Sequence, residues 1–135
     1  MNASESRERR PSAITAELRK LVTGGNFATL STLLADGSPA AQVMWVDCDD
    51  DCLLINTEVH RLKFKSIEAD PRVAVCVWER DDPYHYVEVR GTVIEIIRGE
   101  RARTHIDELA QRYFGRPYDG ATITSERAIL RIEPR

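Results

Sequence analysis

A basic cluster stands where an apolar strand is followed by a helix, and its residue types could bind a phosphate. Asn56 and Thr57 end the strand, and Arg61, Lys63 and Lys65 follow shortly after them. The first turn of a helix has free N–H groups and the positive end of the helix dipole, so it favours an anion. Arginine and lysine add full charges there. The junction is therefore predicted to hold a phosphate; the alternative is a solvated basic helix face.

The charge of the whole chain favours a small anionic ligand over a large acidic partner. The 135 residues contain 19 Lys and Arg against 22 Asp and Glu, a net charge of −3. Neither nucleic acid nor a membrane surface is expected as a partner, because no global positive field would attract them. The sequence shows no apolar run of about 18 residues, and its opening segment lacks the apolar centre of a signal peptide. A cytoplasmic location is expected.

The sequence carries no recognisable hydrolytic or metal-binding motif. It has no nucleophile elbow, no Walker loop, no G-x-G-x-x-G after a strand and no His-Glu-x-x-His. Cys48, Cys52 and Cys76 are odd in number and form no Cys-x-x-Cys pair, so we expect neither a disulfide framework nor a metal site. The acidic runs around these cysteines and before the fifth strand are interpreted as solvated turns.

The three histidines do not form a catalytic group with one another. His60 is close enough to the basic cluster to help with a phosphate, and His85 is expected in the core or in an interface. His105, near Asp107 on a helix, is expected at the surface. None of them is a convincing general base, so no catalytic side chain is predicted.

A single domain covering residues 13–135 is expected to position these groups, after a disordered lead-in at residues 1–12. The hydrophobic content of 42% is enough for one core. Apolar residues at helical spacing between Ile14 and Val22 predict a first amphipathic helix, with Ser12 as its cap.

Six mostly antiparallel strands and two further helices are predicted after the first helix. The strands are Phe27–Leu34, Ala40–Val46, Cys52–Asn56, Arg72–Trp78, Tyr84–Ile97 and Ala128–Ile132, and the helices are His60–Ala69 and Glu100–Phe114. The pair Asp36-Gly37 predicts a hairpin turn, and Gly91 is interpreted as a bulge or sharp bend. A small barrel is the expected architecture, because closure removes exposed edge strands.

Flat and soft side chains lie on the predicted strands beside the basic junction. The segment Val43-Met44-Trp45 belongs to the second strand, and Tyr84 and Tyr86 belong to the fifth. A basic helix start next to such a surface suits a flat cofactor with a phosphate, and in such a system the cofactor carries the redox chemistry. The alternative for the aromatic residues is ordinary packing in the core or in a dimer interface.

The order and spacing of several short motifs resemble the pyridoxamine-phosphate-oxidase-like flavin and deazaflavin oxidoreductases. These motifs are the first hairpin, Asn56-Thr57, Arg61-x-Lys63, Asp70-Pro71-Arg72-Val73 and a following strand that reaches Gly91. The resemblance covers Phe27 to Gly91. The loop Phe114–Gly120 and the strand Arg127–Pro134 are similar in form to the small branch that uses the deazaflavin coenzyme F420.

This resemblance implies a split β-barrel that works as a homodimer, with each cofactor at the interface of two chains. Arg61 and Lys63 would hold the cofactor phosphate, and Asn56 and Thr57 would be neighbouring hydrogen-bonding groups. The remaining implied cofactor-binding residues are Val43, Met44 and Trp45, whose backbone would lie along the ring, and Tyr84 and Tyr86, which would come from a strand facing the cofactor.

The activity implied by the resemblance is hydride transfer between F420 and a small organic substrate. An FMN-dependent enzyme of the pyridoxamine-phosphate-oxidase type is the alternative, because both cofactors would place a phosphate at the same junction. A non-enzymatic protein that carries a flavin, deazaflavin or haem also stays open. The longer acidic tail of F420 would favour extra cations, for which Lys65, Arg72 and Arg116 are candidates.

Overall fold

The computed structural model describes residues 13–135 and contains three helices and seven strands in this range. The helices are α1 (Ala16–Thr23), α2 (Leu62–Ala69) and α3 (Glu100–Phe114). The strands are β1 (Phe27–Leu33), β2 (Pro39–Trp45), β3 (Asp47–Cys48), β4 (Leu53–Glu58), β5 (Arg72–Glu79), β6 (Asp82–Arg98) and β7 (Arg127–Pro134). The predicted lead-in, with Ser12, lies outside the described residues, and Thr15 caps α1 by accepting from the Leu18 N–H at 3.2 Å.

The prediction of six strands was wrong by one. The additional strand is β3, a two-residue strand in which Asp47 pairs with Leu54 and Cys48 with Leu53. This strand directly precedes the acidic turn. So short a strand beside turn-forming residues gives no recognisable strand pattern in the sequence.

All strand pairs are antiparallel, and the sheet order is β2-β1-β5-β6-β7-β4-β3. Only Val46 separates the end of β2 from the start of β3. The two strands at opposite ends of the order are therefore neighbours in space, and the sheet must curl into a barrel. β5 pairs with both β1 and β6 and lies in the interior of the sheet.

The long strand β6 joins the two halves of the barrel at Gly91, which pairs with Val73 of β5 and with Pro134 of β7. A Cβ atom at Gly91 would lie 2.6 Å from the Glu133 carbonyl oxygen. The predicted bulge is not at this residue: the register shifts between Val93 and Glu95. Gly91 is needed because β7 approaches it too closely for a side chain.

The interior of the barrel is aliphatic and is closed by the helices. Its fully buried large side chains include Leu18 of α1, Leu30, Leu53, Ile55, Ile67 of α2 and Leu130. Helix α3 covers the outside of β4 and β7, where Ala102 packs with Leu54 and Ile129. It ends as predicted, at Gly115, whose left-handed backbone (φ 73°) allows its N–H to reach the Gln111 carbonyl.

Replacing Gly91 by Ala should destabilise the barrel by about 1–3 kcal/mol, because the added methyl group overpacks against the β7 backbone. The free energy of unfolding in urea measures this loss. Gly120→Ala is the matched control, since a Cβ atom there meets only the flexible end of Arg103 at 3.2 Å. Equal stability of the Gly91→Ala variant and the wild type would contradict the close-approach explanation.

Candidate functional site

The predicted basic junction is present where β4 leads into α2. Arg61 occupies the N-cap position with an extended backbone (φ −69°, ψ 147°), and its side chain does not cap the helix. The N–H groups of Phe64 and Lys65 donate to the Arg61 carbonyl at 3.1 and 3.3 Å. The earlier N–H groups of the first turn have no partner within the helix. The Arg61 side chain is exposed and that of Lys63 is half-buried beside it.

A third cation, Arg127, reaches this junction from the first position of β7. It pairs across the sheet with Glu58, the last residue of β4, and is 8% exposed. Its Nε donates to Asn56 Oδ1 at 2.8 Å, and its guanidinium lies 5.4 Å from the centre of the Tyr118 ring. A lone basic residue before the apolar run Ala128-Ile129-Leu130 was the only signal of Arg127 in the sequence.

The pKa values of Lys63 and Arg127 show that cations lie close together at this junction. Burial lowers the pKa of Lys63, and the charges of Arg61 and Arg127 lower it further. Burial also lowers the pKa of Arg127, with a further contribution from Arg61. The repulsion among these groups would be relieved by an anion bound between them.

The carboxylate of Glu58 lies beside this cluster and already accepts hydrogen bonds from within the chain. It is 2% exposed, and its Oε1 accepts from the N–H groups of Thr124 and Ser125 at 2.7 and 2.8 Å. Burial by itself would raise the pKa of this carboxyl, but the two N–H groups and Arg127 lower it below its usual value of 4.5. Glu58 is therefore ionised at neutral pH and holds the loop before β7 in place.

Asn56 lies in the same region but is buried, at 4% exposed. Its Nδ2 donates to the Ala102 carbonyl at 2.9 Å and is 3.0 Å from Nδ1 of His105. With Arg127 on its Oδ1, the amide has partners at both ends. Thr57 is also buried and points to the opposite side of β4 from Asn56.

The prediction that His105 is at the surface was wrong. Its side chain is 0% exposed, between α3 and the barrel, and its Nε2 lies 2.9 Å from Asp47 Oδ2. Its spacing from Ala102 and Leu109 puts His105 on the buried face of α3, but the partners of its imidazole come from two strands far away in the sequence.

A groove of 170 Å³ adjoins the cation cluster. Its lining residues are Met44, Trp45, Asn56, Ile106, Leu109, Tyr118 and Arg127. Trp45 is held from behind by Tyr113 of α3: the two rings are stacked at 4.8 Å with an angle of 6° between their planes. Val43, by contrast, is 59% exposed on the outer face of the sheet.

Tyr84 and Tyr86 are not brought to this groove within one chain. Trp45, Phe27, Trp78 and Tyr86 form a row of cross-strand partners over β2, β1, β5 and β6. Tyr86 lies three strand spacings from Trp45, so the backbones of the two residues are roughly 14 Å apart. Both tyrosines face solvent instead, with Tyr84 92% and Tyr86 56% exposed.

The candidate cations for an acidic tail have different surroundings. Arg72 makes two hydrogen bonds to the Asp70 carboxylate, at 3.0 and 2.7 Å. Arg116 lies over the Phe114 ring at 5.5 Å and lines a second groove, of 490 Å³, which also contains Tyr118. Because Tyr118 lines both grooves, Arg116 lies on a path that continues from Arg127, whereas Arg72 is already paired.

Comparisons with known proteins identify the family. The family profile described as pyridoxamine 5'-phosphate oxidase matches residues 14–135. The chain belongs to this family. A search of curated protein sequences found no significant match.

Solved structures agree with this membership. An F420 reductase is 30% identical, with a TM-score of 0.76, over 87% of this chain and 92% of that one. A conserved hypothetical protein from Mycobacterium tuberculosis is 25% identical, with a TM-score of 0.71, over 94% and 84% of the two chains. The heme storage protein HutZ from Vibrio cholerae, at 15% identity and a TM-score of 0.65 over 90% of each chain, shows the fold alone.

The fold is thus the antiparallel split barrel of the pyridoxamine 5'-phosphate oxidase family, a family that includes oxidoreductases and binds flavins. No helix within residues 13–135 is long and apolar enough to cross a membrane. In the same residues, no three His, Cys, Asp or Glu side chains are grouped so that they could hold a metal ion.

Glu58→Gln should change how stability depends on pH. The folded pKa of Glu58 is lowered, so its contribution to stability is present above pH 4.5 and is lost as the pH falls through the folded pKa. The variant should be less stable at neutral pH and should lose less stability on acidification, as measured by urea unfolding over a pH series. Glu68→Gln, at an exposed position on α2, is the control. Parallel curves for Glu58→Gln and the wild type would show that the carboxylate contributes nothing.

Proposed function

We propose that this protein is an oxidoreductase that uses the coenzyme F420 and binds its phosphate between Arg61, Lys63 and Arg127. The observation that carries the proposal is the convergence of these three cations at an open helix start, beside a groove lined by Trp45. The sequence identity of 30% to an F420 reductase supports F420 over FMN as the cofactor.

The residues at the junction fit a phosphate. Of the three cations, Arg127 is paired with the Glu58 carboxylate at 3.6 Å, and that carboxylate is also engaged with Thr124 and Ser125. Arg61 and Arg127 can donate in pairs to phosphate oxygens, and Lys63 adds a point charge. Asn56 takes an indirect role in this proposal, because its amide is already hydrogen-bonded to Arg127, Ala102 and His105.

The cofactor ring would lie from the Met44–Trp45 groove towards Val43. When bound, F420 supplies a hydride from its ring to the substrate. Trp45, fixed by Tyr113, forms one wall and excludes water from it. The groove of 170 Å³ is smaller than the about 300–1,000 Å³ of small-molecule pockets, so further surface must cover the ring.

A second copy of the chain is the proposed source of that surface. The outer face of β2, β1 and β5 carries small residues that allow another sheet to approach closely: Thr29, Ser31, Ala41, Ala74 and Cys76. Tyr84 and Tyr86 are exposed at one end of this face. In a two-fold dimer they would reach the cofactor held by the other chain.

The acidic tail of F420 is proposed to continue along the second groove towards Arg116. This groove shares Tyr118 with the first one, and its 490 Å³ leaves room for a chain of carboxylates. Arg72 is less suitable because Asp70 neutralises it and lowers the local positive potential. No catalytic side chain is assigned, and the proton that accompanies hydride transfer would come from solvent.

Two of the three histidines do not favour a haem carrier. A haem iron needs an axial ligand. His105 is fully buried between Asn56 and Asp47. Both ring nitrogens of His85 are engaged, Nδ1 with Glu79 at 3.0 Å and Nε2 with Glu17 at 3.2 Å.

Cofactor binding tests the proposal directly. Purified protein is titrated with F420 and with FMN while cofactor fluorescence and tryptophan emission are followed; F420 should bind more tightly. Tighter binding of FMN would assign the alternative cofactor. If neither binds better than a nucleotide such as AMP, the oxidoreductase proposal is wrong.

The double variant Arg61→Ala/Lys63→Ala should weaken F420 binding by about 1.5–3 kcal/mol for each charge-assisted hydrogen bond lost, with little change in unfolding free energy. The matched control removes the same number of charges elsewhere, with Lys20→Ala and Arg101→Ala at exposed sites on α1 and α3. Unchanged affinity in the first double variant would refute the phosphate assignment.

The dimer proposal makes a separate prediction. Ala74→Arg puts a long charged side chain in the middle of the small-residue face and should yield monomers in sedimentation velocity, with loss of cofactor affinity. Ile94→Arg, at an apolar residue that is 48% exposed outside this face, should leave the dimer intact. A wild-type protein that is monomeric at all concentrations would contradict the proposed interface.

A further inference from the structure

A continuous row of polar side chains runs from half-buried Asp47 to buried Arg127. Asp47 Oδ2 lies 2.9 Å from His105 Nε2, His105 Nδ1 lies 3.0 Å from Asn56 Nδ2, and Asn56 Oδ1 lies 2.8 Å from Arg127 Nε. The row links β3, α3, β4 and β7, and it ends at the proposed phosphate anchor.

We propose that His105 and Asp47 are positioning residues for Arg127, acting through Asn56. Together with the Ala102 carbonyl, they hold the Asn56 amide with its oxygen towards Arg127, and this amide helps to fix the direction in which the guanidinium points. The inference rests on the proposed function only in taking Arg127 as a phosphate ligand.

Only one arrangement of hydrogen-bond donors and acceptors is possible along this row of side chains. Arg127 Nε–H can only donate, so Asn56 must offer it an oxygen. The Asn56 NH2 group then faces the Ala102 carbonyl and Nδ1 of His105, and Nδ1 must be the unprotonated acceptor. The ring proton of neutral His105 is consequently on Nε2, where the Asp47 carboxylate accepts it.

Asp47 is itself held in position. Its other oxygen, Oδ1, accepts from Arg112 Nη2 at 3.2 Å, and Arg112 Nη1 donates to the Val46 carbonyl at 3.4 Å. Burial by itself would raise the pKa of the Asp47 carboxyl, but His105 and Arg112 are among the groups that lower it below its usual value. A charged acceptor is thus present at this end of the row at neutral pH.

Reversal of the Asn56 amide would misplace Arg127. If Nδ1 of His105 carried the proton, the Asn56 oxygen would turn towards it and the NH2 group would face Arg127 Nε–H. Two N–H donors would then face each other with no acceptor between them, and the Asn56 oxygen would face the Ala102 carbonyl oxygen. Unpaired polar groups are costly at a site that is 8% exposed. Arg127 would then leave Asn56 and move away from Arg61 and Lys63.

Three variants of the full-length chain separate positioning from general stability. His105→Leu removes the acceptor. His105→Asn retains it, because Oδ1 of asparagine is as many bonds from the backbone as Nδ1 of histidine. Asp47→Asn removes the negative charge that holds the proton on Nε2. Asp51→Asn, at an exposed site in the neighbouring acidic turn, is the control for the loss of one carboxylate.

The first readout needs no cofactor. In ¹⁵N-labelled protein, the Arg127 Nε–H resonance, assigned by its absence from Arg127→Lys, should be shifted or broadened in His105→Leu and in Asp47→Asn. It should be near the wild-type position in His105→Asn and in Asp51→Asn. An unchanged resonance in folded Asp47→Asn and His105→Leu would overturn the proposal.

The second readout is affinity for F420, or for FMN if that cofactor binds more tightly. The losses in Asp47→Asn and His105→Leu should be about five- to tenfold, with His105→Asn and Asp51→Asn within about twofold of the wild type. Equal affinities in all variants would overturn the link between Arg127 and the anchor. If the wild type binds neither cofactor, the proposed function fails, and the resonance of Arg127 still decides whether His105 positions it.

Discussion

The buried charge of Arg127 is the constraint on which the site depends. A guanidinium that is 8% exposed needs partners, because an unpaired charge in an apolar interior costs far more than the fold could supply. Glu58 provides the opposite charge at 3.6 Å, Asn56 an oxygen at 2.8 Å and Tyr118 a ring face at 5.4 Å. These three partners come from β4 and from the loop before β7, so pairing of β4 with β7 brings the guanidinium and its partners together.

The same arrangement leaves positive charge unbalanced towards solvent. Glu58 compensates one cation, while Arg61 and Lys63 add two more at the start of α2. The lowered pKa of Lys63 reflects burial and the repulsion from Arg61 and Arg127. An anion at this point would be bound by helix N–H groups and relieve the repulsion at once. Salt screens exposed charges more than half-buried ones. Added salt should therefore weaken the attraction of a bound phosphate to exposed Arg61 more than its attraction to half-buried Lys63.

The sequence predicts the parts of this structure whose interacting residues are close together along the chain. Arg61 and Lys63 were recognised because strand, basic residues and helix are contiguous, and α3 was predicted to the residue because Gly115 ends it. The number of antiparallel strands predicted a small barrel, and the family resemblance specified a split barrel. Arg127, by contrast, meets Asn56 across 71 residues of chain, and His105 meets Asp47 across 58. No local pattern reports such contacts, so the sequence predicted neither the polar partners of His105 nor the close approach at Gly91, which was interpreted as a bulge or sharp bend.

The proposed site has two parts, an anchor for the phosphate and a surface for the cofactor ring, and a single chain forms the first more completely than the second. The proposed phosphate anchor lies within a single chain, where Arg127 is held by hydrogen bonds that run from β3 to β7. Of the residues proposed to lie along the cofactor ring, Met44 and Trp45 line the groove of 170 Å³, while Val43, Tyr84 and Tyr86 face solvent on the outer sheet. An anchor that is rigid before assembly can bind the common phosphate of different cofactors. Discrimination between rings, and between substrates stacked on them, must then come from the exposed face that a second chain would cover.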